Sequence, residues 1–540
     1  MIKQTKESTL RIDVSHKYGE ARHVASGSLY GVVEEYPSDE QIRLLRPVNI
    51  GNSPEAGHQQ PLGAAIPTAR RIAPVGGKVQ IRLAEWFTGW YDYAGLEDWF
   101  SKLETITERV RKSGIDNVDG YEIWNEPDGT WKGLYVVPVN DEDSYYVTFR
   151  VQAPENGTYK TTIRYANGNQ SHAALNLQVN GEECGILSFP PTGGWYHNGA
   201  CGDLDFSVRL RQGENKVKVS RASVENLEID YLNVSGASPE RYEADSAIRG
   251  NTYSATSGYA SSAVSGHLTF NEFFSVSQKK LRELDPSART IGPSSYVYTR
   301  PAMKSFLEYQ KEHGTLPDII CWHQLADEDI TKILEDYREL EKELEIGPLP
   351  ISINEYSGGG WFEEEGCPGV CAPLIAKFER FQVDSACQSF WNGVQGTLSS
   401  TLTPDYEPNG GFWFYKWYAD MDGEMVEVLP EKPHNPRFLD GFACLNQQQK
   451  SLRILFGGEG DENVTIRVDN LPDYFGENVR VKLEHTPFQD RFTKVSGPEM
   501  VWEKTYPVIH GTMEITVTDR YQCDGYQLSV TQEKTGGSNG

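Results

Sequence analysis

The sequence predicts an α/β protein: a (β/α)8 TIM barrel, interrupted by an inserted β-sandwich (jelly-roll) module and followed by a C-terminal β-sandwich. The chain has 540 residues, which is too many for a single hydrophobic core. Two separate segments alternate short apolar runs with helical patterns, as parallel β/α units do. The segments between and after them alternate apolar and polar residues with Gly and Asn at the turns, which is typical of antiparallel strands.

The eight barrel strands follow from the short apolar runs in the two β/α segments. Between these runs lie helical stretches such as "LEDWFSKLETITERVRKSG", which ends on a glycine suited to a helix C-cap. A doubly wound open sheet is the competing architecture, but no GxGxxG pattern follows the first strand. The predicted strands lie near Tyr30, Val48, Ile81, Ile123, Ile291, Ile320, Ile353 and Phe390.

The changes in pattern set the predicted domain boundaries and place the insert between the fourth barrel strand and the fourth helix. Residues 1–27 supply an N-terminal strand to the C-terminal sandwich, residues 28–132 and 268–430 form the barrel, residues 133–267 form the inserted sandwich, residues 431–532 form the C-terminal sandwich, and residues 533–540 form a disordered tail.

Two glutamates stand where such a barrel carries its chemistry, at the C-terminal ends of its strands. Strand four ends on Asn125 and Glu126, and strand seven, "PISINEYSGGG", ends on Asn354 and Glu355. Retaining glycoside hydrolysis needs an acid that protonates the leaving oxygen and an ionised nucleophile, about 5–5.5 Å apart. The acid is then expected to have a raised pKa. Either glutamate alone is also explained as a salt-bridged strand end, but the two together favour a catalytic pair.

The motifs around these glutamates resemble a known group of enzymes. "EIWNEPD" with a later "INEYS" resembles the clan-A retaining glycoside hydrolases, most closely glycoside hydrolase family 39, and "FNEFFSVSQKKLRELDPSARTIGPS" resembles that family's segment after the acid/base. The resemblance implies that Glu126 is the acid/base, that Glu355 is the nucleophile and that Asn125 hydrogen-bonds the sugar 2-hydroxyl. The stretch "RPVNIGNSPEAGHQQPLG" lacks the Arg-Xaa-His pattern of that family, so arabinosides, xylosides and galactans stay open as substrates.

Other residues on the same rim are predicted to line the sugar site. His323, at the end of strand six, is expected to bond a sugar hydroxyl or to tune Glu355, with a buried core histidine as the alternative. Trp391 is expected to stack on the sugar and Tyr356 to hydrogen-bond the nucleophile, although packing explains both rings equally well. The expected pocket walls after the third strand are Glu85, Trp86 and Trp90.

The insert resembles a carbohydrate-binding module of family 35 or the related family 6. Strands such as "VRLRQGENKVKV" and "ENLEIDYLNV" keep the order usual for that module, but the "YEAE"-like segment, "RYEADSAIRGNTYSATSGYASS", follows them. We interpret this order as a circular permutation, with a linker that resembles the motif as the alternative. The resemblance implies a sugar face made by Tyr165, Trp195 and Asn226, and a structural Ca2+ held by Glu243, Asp245 and Asp230.

Composition excludes some partners. The chain has 51 Lys and Arg against 77 Asp and Glu, and this net charge of −26 disfavours nucleic acids and anionic membranes as partners. We expect a polysaccharide or oligosaccharide as partner and no cofactor for catalysis. The N-terminus has no signal-peptide pattern, so the chain as written is expected to be cytoplasmic, or secreted if a leader was removed. Cys367 and Cys371 form either a loop disulfide or, as we prefer, free thiols.

Two classes of function compete on this sequence. The first is a retaining glycoside hydrolase that cleaves a polysaccharide or its oligosaccharides, and the second is a non-catalytic glycan-binding protein with a decayed barrel. The presence of both strand-end glutamates favours the enzyme.

Overall fold

A computed structural model describes most of the chain, with gaps in several loops and at both ends. No helix in the described part is long and apolar enough to span a membrane. The described residues are 7–55, 63–86, 89–90, 95–131, 135–137, 146–194, 200–223, 227–244, 248–249, 268–360, 363–389 and 394–533.

The N-terminal part of the chain holds one long strand and then the first half of the barrel. Its elements are β1 (Glu7–Glu20), β2 (Gly27–Leu29), α1 (Asp39–Leu45), β3 (Asn49–Asn52), α2 (Ala65–Ile72), β4 (Lys78–Arg82), β5 (Glu85–Trp86), β6 (Gly89–Trp90), α3 (Leu96–Ser113), β7 (Val118–Glu122) and α4 (Pro127–Thr130). Helix α3 is the helix predicted from its amphipathic pattern. It ends at the predicted C-cap, Gly114, whose φ of 71° is left-handed.

The insert consists of antiparallel strands, and its described residues contain no helix. They are β8 (Tyr135–Val137), β9 (Tyr146–Ala153), β10 (Gly157–Ala166), β11 (Ala173–Val179), β12 (Glu182–Phe189), β13 (Gly202–Leu210), β14 (Gly213–Arg221), β15 (Leu227–Val234), β16 (Arg241–Glu243) and β17 (Ile248–Arg249). Two sheets, β13-β10-β15-β16 with β8 beside β15, and β12-β11-β14-β9-β17, enclose one apolar core. The last two strands, from the segment interpreted as permuted, add edges to the two sheets.

The second half of the barrel follows the insert. Its elements are α5 (Phe270–Leu284), β18 (Thr290–Ser295), α6 (Arg300–His313), β19 (Ile319–Gln324), α7 (Ile330–Glu343), β20 (Ile351–Tyr356), α8 (Pro368–Arg380), β21 (Ser385–Gln388) and α9 (Gly410–Ala419). Helix α5 begins with a capping box, in which Thr269 and Glu272 satisfy each other's backbone N–H groups. The chain therefore resumes helical structure directly after the insert.

The eight parallel strands β2, β3, β4, β7, β18, β19, β20 and β21 close into one barrel in that order. The predicted barrel is therefore confirmed, and the insert lies between its fourth strand and helix α5. Two boundaries differ from the prediction. β7 ends at Glu122 rather than at Glu126. The barrel segment predicted for residues 268–430 ends earlier, because the strand Glu424–Pro430 belongs to the C-terminal sheet. Glu126 itself takes a left-handed φ of 48°, which is incompatible with a strand and turns the chain into α4.

The C-terminal strands and β1 form a single nine-stranded sheet. They are β22 (Glu424–Pro430), β23 (Asp440–Asn446), β24 (Ser451–Gly457), β25 (Asn463–Asp469), β26 (Asn478–Thr486), β27 (Glu499–Pro507), β28 (Met513–Val517) and β29 (Gly525–Gln532). The order is β27-β26-β29-β24-β23-β22-β1-β25-β28, and β1 runs antiparallel to β22 and parallel to β25. Helix α8 lies against β23, where Lys377 and Arg380 reach Asp440 at 3.1 and 2.7 Å. This contact fixes the sheet on the barrel helix that follows the strand of Glu355.

Candidate active site

The C-terminal ends of three barrel strands bring together two carboxylates and one imidazole. Nδ1 of His323 lies 2.9 Å from Oε1 of Glu126, and Nε2 lies 3.7 Å from Oε1 of Glu355. One ligand atom of each of the three residues lies within 4.8 Å of the other two. His323 and Glu355 are register partners on β19 and β20, so the parallel pairing of these strands fixes their separation. The two predicted glutamates and the predicted histidine thus form one cluster.

Packing and backbone bonds hold Glu126 in this position. Trp124, two residues before it, is fully buried against Trp99 and Phe273. The backbone N–H of Glu126 donates to the carbonyl of Ser294 at 2.9 Å, which ties the end of β7 to the end of β18. The left-handed backbone then turns the carboxylate toward His323. A non-glycine residue in this conformation is strained, and such strain is concentrated at functional sites.

A buried arginine, Arg82 at the end of β4, connects the cluster to two further carboxylates. Its Nη2 donates to Oε1 of Glu355 at 2.8 Å and its Nε donates to Oε1 of Glu85 at 3.0 Å. The same Nε lies 3.6 Å from Oε2 of Glu122, the last residue of β7. Within the described residues, neither oxygen of Glu122 accepts a hydrogen bond. Three carboxylates therefore share one guanidinium at the bottom of the site.

Arg82 and Glu122 were missed by the sequence reasoning. Each stands in an apolar strand run, "VQIRLAEW" and "DGYEIWNE", where charged residues are rarely buried unless they are paired. A charged residue within an apolar run was the feature of the sequence that could have identified them. The sequence did not show that the arginine and the glutamate, forty residues apart, meet inside one barrel.

The charges of the cluster set its protonation. Burial disfavours the imidazolium, but the carboxylates of Glu355 and Glu126 outweigh it and raise the pKa of His323 to about 9. Burial favours the neutral form of Glu126, yet the hydrogen bond and the charge of His323 lower the pKa of that carboxyl group. The expected raised pKa of the acid is therefore wrong for the free site. A protonated His323 holds the proton 2.9 Å from the carboxylate that needs it.

The remaining predicted rim residues have different environments. Asn125 is buried beside Glu126, and Trp86 is buried with the Arg109 guanidinium 5.8 Å from its ring centroid. Glu85 is no exposed pocket wall, because it is buried among Arg82, Ser53 and the hydroxyl of Tyr30. The structure describes neither Trp391 nor the side chain of Trp90.

The predicted hydrogen bond from Tyr356 to the nucleophile is wrong. The Tyr356 side chain lies in the core, where its hydroxyl donates to the carbonyl of Ala25 at 2.9 Å and bonds the hydroxyl of Tyr415 at 2.5 Å. Successive side chains on a strand point to opposite faces, so a residue directly after Glu355 on β20 points away from the barrel interior.

The predicted sites of the insert are only partly described. Tyr165 is buried to 4% exposure and its hydroxyl donates to the carbonyl of Pro190, so the exposed sugar-stacking ring predicted there is corrected to a core residue. Asp230 is buried on β15, and the backbone of Glu243 on β16 pairs beside that strand. The other predicted residues, Trp195, Asn226 and Asp245, lie outside the described residues, as does the Glu243 side chain.

The donor set Glu126, His323 and Glu355 is also one that metal ions use. Its surroundings do not favour a cation, because the Arg82 guanidinium already lies 2.8 Å from Glu355. The raised pKa of His323 also disfavours the neutral imidazole that a metal requires. The arrangement suits one carboxylate that exchanges a proton with its surroundings, Glu126, and one that can attack an electrophile, Glu355.

Comparisons with known proteins relate the chain to arabinofuranosidases. No family model matches it. Over 97% of its length it is 24% identical to the 3-O-beta-L-arabinopyranosyl-alpha-L-arabinofuranosidase of Bifidobacterium pseudocatenulatum and to the 3-O-alpha-D-galactosyl-alpha-L-arabinofuranosidase of Bifidobacterium longum subsp. longum. The chain spans less than half the length of these curated relatives, 47% and 40% respectively.

Solved structures share the fold along the whole chain. The structure of N2152 from Neocallimastix frontalis superposes with a TM-score of 0.71 at 26% identity and covers 98% of this chain and 100% of that one. A GH39 enzyme from Xanthomonas axonopodis pv. citri superposes with a TM-score of 0.51 at 10% identity, over 99% of this chain and 100% of that one. The second likeness concerns the fold alone, and it is the fold of the family to which the motifs were compared.

Proposed function

We propose that this chain is a retaining glycoside hydrolase, with Glu126 as acid/base and Glu355 as nucleophile. The observation that carries the proposal is the carboxylate separation. An oxygen of Glu126 and an oxygen of Glu355 lie within 4.8 Å of each other. This upper limit is compatible with the spacing of about 5–5.5 Å between the carboxyl groups of retaining enzymes, whereas inverting enzymes need about 6.5–9.5 Å to admit a water molecule.

The proposed reaction has two displacements at the anomeric carbon. In the first, a carboxylate oxygen of Glu355 forms a bond to this carbon while the glycosidic oxygen leaves and takes a proton from Glu126. In the second, Glu126 takes a proton from water, whose oxygen attacks the same carbon and releases Glu355. Two inversions restore the original configuration, so the product is the retained anomer.

Arg82 and His323 prepare the two glutamates for these roles. The guanidinium of Arg82, 2.8 Å from Glu355, stabilises the negative charge that the nucleophile must carry. His323 donates to Glu126 at 2.9 Å and is the store of the proton that the leaving oxygen requires. Binding of a neutral sugar displaces water from the site and favours transfer of this proton to Glu126, because a neutral pair is less costly than a charged pair in a dry site.

We propose α-L-arabinofuranosides as the substrate class. Both curated relatives, which match 97% of the chain, act on such linkages by name. The chain has a net charge of −26, which favours an uncharged ligand over an anionic one. An arabinofuranoside is uncharged. Xylosides and galactosides are the competing classes.

We propose that the insert binds carbohydrate and holds a structural Ca2+. The position of β16 and β17 at the edges of its two sheets supports the circular permutation inferred from the sequence. The carboxylate of Asp230 suits Ca2+, and the N–H of Ala244 donates to the Asp230 carbonyl at 2.9 Å, which places the backbone of Glu243 and Ala244 beside β15. EDTA is expected to lower the melting temperature of the full chain, and Asp230→Asn is expected to abolish this sensitivity. Loss of Trp195 is expected to weaken retention in a polysaccharide gel while leaving small-substrate hydrolysis unchanged.

The catalytic proposal is tested with a panel of glycosides and a matched pair of variants. The panel consists of p-nitrophenyl α-L-arabinofuranoside, β-D-xylopyranoside and β-D-galactopyranoside, together with arabinose-containing oligosaccharides. Glu355→Gln removes the nucleophile and is expected to lower kcat at least a thousandfold. Glu363→Gln makes the same change at an exposed glutamate shortly after β20 and is expected to have no effect.

Proton NMR of the first product checks the stereochemistry. The retained anomer is expected to form before mutarotation mixes the two. Inverted product, an active Glu355→Gln variant, or no cleavage of any glycoside in the panel would contradict the proposal.

A further inference from the structure

Tyr296, just beyond the end of β18, is held beside the acid/base by two hydrogen bonds. Its backbone N–H donates to Oδ1 of Asp128 at 2.9 Å, and two residues earlier the carbonyl of Ser294 accepts from the N–H of Glu126 at 2.9 Å. The segments 126–128 and 294–296 therefore lie side by side. Ser294, like Glu126, has a left-handed backbone, with φ of 59°, so the chain is bent on both sides of this contact.

The Tyr296 side chain is exposed, unlike the buried residues that form the site. Its exposure is 38%, against 7% for Glu355 and 0% for His323. Burial and then the negative charges of Glu126 and Glu328 raise the pKa of the Tyr296 hydroxyl. An exposed aromatic face at the edge of a polar cleft is a surface for the C–H groups of a sugar ring.

We propose that the ring of Tyr296 forms the subsite for the leaving-group sugar. The inference rests on the proposed function. An acid/base protonates the glycosidic oxygen, so the sugar attached to that oxygen lies on the acid/base side of the cleft rather than on the side of the nucleophile. Asp128, two residues after Glu126, is a positioning residue of this subsite, because its carboxylate accepts the backbone N–H of Tyr296.

The test compares two substrates that share a glycone and differ in the leaving group. One is a disaccharide of α-L-arabinofuranose on a second sugar, and the other is methyl α-L-arabinofuranoside, whose leaving group has no ring to stack. Tyr296→Ala is expected to lower kcat/KM for the disaccharide roughly tenfold, the effect of one lost stacking contact, and to change kcat/KM for the methyl glycoside less than twofold. Tyr296→Phe keeps the ring and is expected to retain most of the disaccharide activity.

Tyr521, an exposed tyrosine near the C-terminal end of the chain, supplies the control variant Tyr521→Ala, which is expected to behave like the unaltered chain. Equal losses on both substrates, no loss in Tyr296→Ala, or a loss in Tyr296→Phe as large as in Tyr296→Ala would overturn the subsite while the hydrolase stands. If the unaltered chain cleaves neither substrate, the proposed function fails and the subsite with it.

A second, independent observation concerns two thiols that join the barrel to the C-terminal sheet. Cys367, the N-cap of α8, is buried, and its Sγ lies 3.4 Å from the carbonyl oxygen of Cys523. The backbones are in contact, because the N–H of Gly369 donates to the same carbonyl at 3.0 Å and a Cβ on Gly369 would lie 2.9 Å from Cα of Cys523. The hydrogen bond from Cys367 lowers the pKa of the exposed Cys523 to about 7.

The geometry points to Cys367 and Cys523 as a reversible disulfide pair. A small disulfide such as oxidised glutathione is the oxidant. The Cys523 thiolate attacks one of its sulfurs and releases one glutathione thiolate. Cys367 then loses its proton, attacks Sγ of Cys523 and releases the second, so that two protein thiols are oxidised and one small disulfide is reduced. The bond would tie the end of the loop after Glu355 to the last loop of the C-terminal sheet.

Peptide mapping of the oxidised full chain under non-reducing conditions tests the pair. A linked peptide containing Cys367 and Cys523 is expected after incubation with oxidised glutathione, and it is expected to vanish with excess dithiothreitol or in Cys523→Ser. Cys184→Ser, at an exposed thiol of the insert, is the control and keeps the linked peptide. The closed loop of about 157 residues is expected to raise Tm by about 4 °C. A link between Cys367 and Cys371, or no link at all, would overturn the pair.

Discussion

The imidazole of His323 donates to the carboxylate of Glu126 at 2.9 Å from a position that is wholly buried. Its other nitrogen lies 3.7 Å from Glu355, so the positive charge of the protonated ring faces both carboxylates. The histidine therefore explains how two like charges stay within 4.8 Å of each other in the free site. Under the proposed function, Glu126 would gain its proton from this ring only during the reaction.

Glu126→Ala is expected to discriminate between leaving groups. Without a proton donor, cleavage of sugar leaving groups should fall by roughly 10²–10⁴, whereas a substrate with an acidic dinitrophenol leaving group should form the glycosyl-enzyme at close to the normal rate. The second step then becomes slow, and added azide is expected to accelerate it and to yield a glycosyl azide of retained configuration. Kinetics with and without azide, and NMR of the azide product, check this.

Glu363→Ala is the control for Glu126→Ala, since it removes an exposed carboxylate on the same rim. It should respond to azide no more than the unaltered chain does. An azide adduct of inverted configuration, or no dependence of the Glu126→Ala defect on the leaving group, would assign the acid/base role to another residue.

His323→Asn is expected to change how stability depends on pH. The folded-state pKa of His323 is raised to about 9 from an ordinary value of 6.5. The contribution of the protonated ring is therefore complete below about pH 6.5 and is lost as the pH rises through 9. Asn keeps a donor toward Glu126 but does not titrate. Urea unfolding between pH 6 and 10 should show a stability difference between the two chains that shrinks across this window, and parallel curves would show that the ring does not titrate there.

The same variant is expected to alter the pH profile of activity. In the unaltered chain, kcat/KM should fall with an alkaline limb near 9, where His323 loses the proton that it shares with Glu126. This limb should be absent in His323→Asn, with kcat/KM lowered at neutral pH. A merely structural histidine would lower activity without moving the limb.

Arg82→Met is expected to destabilise the chain. Removal of the guanidinium leaves Glu85, Glu122 and Glu355 buried without their shared cation, and breaking a buried ion pair in this way costs about 3–5 kcal/mol. Adding Glu122→Gln to Arg82→Met removes one of the orphaned charges and is expected to recover part of the loss. Urea unfolding of the two variants checks this, and an unchanged free energy of unfolding in Arg82→Met would contradict it.

The sequence was sufficient for the barrel and for the position of the two glutamates at one end of it, because strand-helix alternation and strand-end position are local properties. It was insufficient for Arg82 and Glu122, whose role depends on which strands become neighbours after closure. It was also insufficient for protonation, because the pKa of Glu126 is lowered by a histidine 197 residues away. The Tyr165 and Tyr356 predictions failed for a related reason: aromatic residues fit a core and a sugar platform equally well until burial is known.

Glu122→Gln is expected to remove a pH dependence that lies in a lower window than that of His323. Burial raises the pKa of Glu122 to about 7 from an ordinary value of 4.5, although Arg82 opposes this. The folded state therefore binds this proton more tightly than the unfolded state. The resulting stability is complete below about pH 4.5 and is lost as the pH rises through 7. Over that interval the stability of the unaltered chain relative to Glu122→Gln should fall by roughly 3 kcal/mol, as measured by urea unfolding at pH 4.5, 5.5, 6.5 and 7.5. The isosteric amide keeps the packing, and Glu363→Gln, at an exposed site, should show no such trend. A constant difference across the series would mean that Arg82 keeps Glu122 ionised throughout.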